Sequence, residues 1–159
     1  MDVPMILIAL IIIAVGFTAQ AYIRSNLKHA GHIMDRDKDF MEYAEIFTFS
    51  PISPEQMKTA LESVDWKAQT SFVLSGNTNL VRLNYGNKIS ASLTCVEQSE
   101  QKTVYQFQFT GWEVYHGVVE DDMIMNGLLT TVEKFFLQLD SNTQVTTKKL
   151  EVHTKRDLI

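Results

Sequence analysis

A few residue groups have the types and spacing that metal binding or acid–base chemistry uses. His29-x-x-His32 puts two imidazoles on one face of a helix, half of a tetrahedral zinc set. A closed site needs four ligands, and none is spaced to complete this one. Asp35-x-Asp37-x-Asp39 has the opening spacing of a calcium loop. That loop requires Gly at its sixth position and Glu at its twelfth, where this chain has Phe40 and Ile46. A solvated charge run is the reading that remains. Cys95 is the single thiol and falls on the apolar side of an alternating strand, so it reads as a small core residue. His116 lies near Glu113, Tyr115 and Glu120-Asp121-Asp122, and a histidine beside carboxylates can serve as a general base. No nucleophile or metal set completes that arrangement. No Walker loop, dinucleotide fingerprint, Gly-x-Ser-x-Gly or His-Glu-x-x-His occurs. No catalytic, cofactor-binding or metal-ligating residue is therefore assigned, and no cofactor is implied.

A broader feature is a set of polar residues on alternating strands. Arg82, Asn84, Ser90, Ser92, Thr94, Gln106, Gln108 and Thr110 share the predicted wet face of one sheet. The set is polar but carries one charge, whereas a solvated sheet face is ordinarily richer in Lys and Glu. It is the candidate interaction face, for a partner protein or a second copy of the domain.

The elements that position it follow from periodicity. Glu42 to Phe49 alternates, with Tyr43, Phe47 and Phe49 on one side and Ala44 and Ile46 on the other. Ser53, Pro54 and Gln56 form a capping-box pattern, and Met57, Ala60, Leu61 and Val64 give the helix behind it an apolar stripe. Strand-like runs follow at 69–75, 80–85, 88–96 and 103–116, with Gly76-Asn77 and Gly86-Asn87 as expected hairpin turns. In the last run the apolar phase slips at Gly111, which predicts a β-bulge. Glu120-Asp121-Asp122 then starts a second helix, whose apolar face includes Met125, Leu128, Leu129, Val132, Phe135, Phe136 and Leu139.

Met5 to Ile23 is uncharged and, as a helix, covers about 28 Å at 1.5 Å per residue, close to the hydrocarbon thickness of a bilayer. Ala19-Gln20-Ala21 has the form of a signal-peptide cleavage site, but Asp2 replaces the expected basic flank and the run is long for a leader. The segment reads as a retained anchor. Arg24 and Lys28, followed by Arg36 and Lys38, put the positive flank after it, which places the domain in the cytoplasm. The chain of 159 residues has a formal net charge of −5, without the basic surplus that nucleic-acid binding requires. A lone cysteine excludes an intrachain disulfide.

The resulting organisation is a transmembrane helix at 4–23, a juxtamembrane linker or interfacial helix at 24–39, a domain at 40–140, and an edge strand or tail at 141–159. The domain is predicted to be α+β: a two-layer fold of curved antiparallel sheet, order β-α-β-β-β-β-α, with helices on one face. This element order resembles the helix-grip and TATA-binding-protein-like folds. The leading expectation is a membrane-anchored, non-enzymatic interaction module. The alternative is a small-ligand or lipid-binding domain, which the helix-grip resemblance implies. The third is an enzyme using His116 and its neighbouring acids.

Overall fold

A computed structural model describes residues 15, 18, 19, 21–151 and 155–158. The apolar run at 4–23 lies largely outside them. Among the described residues, no helix is long and apolar enough to cross a membrane. The chain divides into two compact units, Met1–Asp35 and Arg36–Ile159.

In the first unit, helix α1 runs through residues 21–29. Gly31, at φ 70°, ends it. The His32 amide donates to the Leu27 carbonyl and the Gly31 amide to the Lys28 carbonyl, the paired bonds of a Schellman turn. Lys28 pairs with Asp35 beyond the turn. His32 thus lies past the helix end, so His29 and His32 do not share a helical face.

The second unit is α+β. Its elements are a 3₁₀ turn (Phe40–Glu42), β1 (Tyr43–Phe49), α2 (Pro54–Glu62), α3 (Trp66–Thr70), β2 (Val73–Asn77), β3 (Leu80–Tyr85), β4 (Ile89–Gln98), β5 (Thr103–Tyr115), β6 (Val118–Val119), α4 (Asp122–Leu139), β7 (Gln144–Lys149) and β8 (Lys155–Leu158). The main sheet runs β2-β3-β4-β5-β1-β7, antiparallel at every step. The end of β5 also pairs with β6 and, in parallel, with β8.

Local chemistry explains the best-defined elements. Ser53 caps α2 by accepting from the Gln56 amide, while the Gln56 side chain accepts from the Ser53 amide, with Pro54 in the first turn. The bulge forms where the phase slips: Ser90 faces Gly111 but Ala91 faces Phe109. A Cβ at Gly111 would stand 2.8 Å from the Ser90 Oγ, so a larger residue would have to displace that hydroxyl.

Two local expectations are corrected. The strand predicted from Gln69 begins only at Val73, because residues 66–70 are helical. Asp65 caps that turn at the Ala68 amide, and buried Trp66 donates its indole N–H to the Leu61 carbonyl. A five-residue helix is too short to show periodicity. Gly76-Asn77 is not the turn but the end of β2, paired with Val81 and Leu80. Asn77 instead accepts the amides of Asn79 and Leu80 through its side chain. Gly76 sits at φ +102°, with the Leu80 carbonyl where a Cβ would go. Gly76→Ala is therefore expected to cost about 1–3 kcal/mol from backbone strain, read as a lower urea midpoint. An unchanged midpoint would show that the hairpin relaxes freely.

One face of the sheet and the helices enclose the core. Phe136 of α4 stacks on Phe47 at 4.3 Å and meets Phe49, Tyr105 and Phe135 within 5.8 Å. Trp66 packs on Phe135 at 5.6 Å, which ties α3 to α4.

Candidate functional site

Two places carry organised polar chemistry, one on each side of the sheet. On the face away from the helices, register gathers the eight polar residues. Arg82, Ser92 and Gln108 form one cross-strand row, Thr94 and Gln106 the next, and Asn84 faces Ser90. Gln106 donates its amide to Gln108 at 2.8 Å, and the Thr110 hydroxyl bonds the Ser90 hydroxyl at 3.0 Å. Arg82 is exposed, and the other seven are half-buried. The face expected to be plainly wet is thus partly sheltered by its own side chains. A groove of about 620 Å³ opens at its bulged end, lined by Asn84, Asn87, Lys88, Ser90, Thr110 and Glu113 among others.

The residues considered for chemistry do not converge. His116 is exposed at a left-handed turn position, φ 48°, with its ring 4.2 Å from that of Tyr115. Lys88 approaches Asp121 at 3.5 Å and Glu120 at 3.8 Å, so a lysine serves those acids. Cys95 is half-buried against the core, and burial pushes its thiol pKa up, away from the reactive thiolate. Among the described residues, no group of three or more His, Cys, Asp or Glu is placed to hold a metal ion. Phe107, Phe109, Trp112 and Phe136 are each at most 3 % exposed. These aromatic side chains belong to the core between the sheet and the helices, and a groove of about 490 Å³, lined by Pro54, Leu61, Leu74 and Val81 among others, opens beside α2.

The second place is a buried ion cluster missed by reading from sequence. Glu45 on β1 lies in the cross-strand row Val81–Leu93–Phe107–Glu45, otherwise made of core residues, and is 6 % exposed. Facing it, α4 presents Asn126, Thr130 and Glu133. Arg36 joins them: it forks onto Glu133 at 2.6 and 3.0 Å and reaches Glu45 Oε1 at 3.3 Å. Longer contacts run to Asn126 Oδ1 and Thr130 Oγ1, each at 3.4 Å. Arg36 therefore does not belong to a solvated charge run, as the alternating aspartates implied. Its side chain is 12 % exposed because two carboxylates of the domain hold it. The missed signals were an acid two residues before Phe47 on a core-facing strand, and the i, i+4, i+7 polar stripe Asn126, Thr130, Glu133 beside the apolar face of α4.

Fold and site together define an α+β domain, an antiparallel sheet with helices, with a polar sheet face and a buried Arg–Glu–Glu cluster. No protein-family model matches the chain, and no curated protein sequence matches it.

Proposed function

We propose that the protein is a single-pass membrane protein whose α+β domain is a non-enzymatic interaction module on the cytoplasmic side. The polar sheet face is its contact surface, for a protein partner or a second copy. The observation that carries this reading is the in-register array Arg82–Ser92–Gln108 beside Thr94–Gln106. Four of its five side chains are uncharged and already half-buried, so covering them buries few charges. The uncharged run over Met5 to Ile23 supports the anchor, and Arg24 and Lys28 support the orientation.

A photoreactive residue at Ser92 in intact membranes is expected to trap a cytoplasmic protein or a second copy. Gln108→Arg should reduce that product roughly tenfold, by setting an unpaired charge in the contact. Crosslinks only to extracytoplasmic proteins would overturn the orientation. Uncrosslinked monomer alone, or a product indifferent to Gln108→Arg, would overturn the contact surface.

A further inference from the structure

We propose that Glu45 and Glu133 share one proton beside Arg36, and that release of this proton is a switch that loosens the seam between β1 and α4. The geometry is that of two carboxylates and one guanidinium. Arg36 gives its two best hydrogen bonds to Glu133, and its Nη1 also reaches Glu45 Oε1. Glu45 Oε2 is buried and, among the described residues, no donor faces it. A buried carboxylate oxygen left so is costly. A proton on Glu45 removes the cost, because the carboxyl O–H then donates to the neighbouring Glu133 carboxylate. One proton also balances the cluster, leaving one anion against one cation.

Among the described residues, the neighbours on each side of Glu45 are these. From β5 the cross-strand neighbour of Glu45 is Phe107, and from β7 it is Thr147. From α4 the facing groups are Glu133, Asn126 and Thr130, and from the chain ahead of β1 it is Arg36. Lys149 on β7 lies over the Tyr43 ring, 5.7 Å from its centroid. Burial first, and then Glu133, push Glu45 up to about 8, against the pull of Arg36.

The sign of the pH dependence follows. Between about pH 4.5 and 8 the folded protein holds this proton and the unfolded chain has released it. Stability is therefore highest on the acid side of that window and falls as the pH rises through it. Above it, two buried anions confront each other across β1 and α4. The strap of chain that begins at Arg36 is then held against a repelling pair.

The test uses the full chain in detergent micelles. Its Tm should fall by roughly 5–10 °C between pH 6 and 9 from this group. Glu45→Gln keeps the donor to Glu133 and cannot ionise, so its Tm should stay nearly level over the same range. Glu133→Gln, which removes the second anion, should flatten the profile too. Infrared spectroscopy of the unaltered protein should show a protonated carboxyl at pH 7 that disappears near pH 8, an arm independent of how the variants fold. A carboxyl band absent at pH 7, or a Tm profile of Glu45→Gln as steep as that of the parent, would overturn the proposal.

Discussion

Arg36→Ala is expected to destabilise the domain by about 3–5 kcal/mol at pH 7, the usual cost of leaving a buried charge without its partner. Arg36 is the cation that pairs with both Glu133 and Glu45. Alanine would leave the desolvated Glu133 carboxylate without its cation beside the protonated Glu45, along with the polar stripe of Asn126 and Thr130. Protons can replace the missing cation, so the deficit should shrink as the pH is lowered towards 5. Urea unfolding at pH 7.5 and 5.5 measures both statements. A deficit near 1 kcal/mol or less at pH 7.5, the size of a surface pair's contribution, would mean that the cluster is solvated. Replacing all three charged residues by apolar ones of similar size should cost far less than removing Arg36 alone, because no charge is then stranded.

Phe136→Ala is the second large effect, also about 3–5 kcal/mol, but with no dependence on pH. Phe136 is fully buried and touches the rings of Phe47, Phe49, Tyr105 and Phe135. Those rings come from β1, β5 and α4, so collapse around the void would have to move the sheet and the helix together. A domain of this size is ordinarily stable by only about 5–15 kcal/mol. The variant should therefore lose a large part of its margin, seen as a lower urea midpoint with an unchanged slope. A loss under about 1 kcal/mol would show that the aromatic layer repacks.

The two variants separate the two kinds of order in this domain. The aromatic layer was legible in the sequence because alternation at Phe47, Phe49, Phe107 and Phe109, and the helical spacing of Leu128, Leu129, Val132 and Phe136, state which faces are buried. The bulge at Gly111 was legible for the same reason, since one inserted residue is what restores a two-residue period after a slip of one. The capping box of α2 needs only three neighbouring residues. The short helix α3 was not legible, since five residues do not establish a period, and Trp66 supplies its anchor through a bond to Leu61. Gly76-Asn77 misled because a turn-forming pair can also close a strand when the next residues make the turn.

The sequence by itself determined the α+β class, the antiparallel meander, the apolar face of the long helix and the alignment of the polar residues on one sheet face. Each of these depends on spacing along the chain, and spacing is local. Only the tertiary structure decided that β1 lies between β5 and β7, and that Arg36, Glu45 and Glu133 meet. The pair that joins Arg36 to Glu133 spans 97 positions, and in sequence an arginine among aspartates looks like any solvated run. What makes it a buried cluster is the desolvation that β1 and α4 impose when they pack together, a property of the closed seam that none of the three residues has alone.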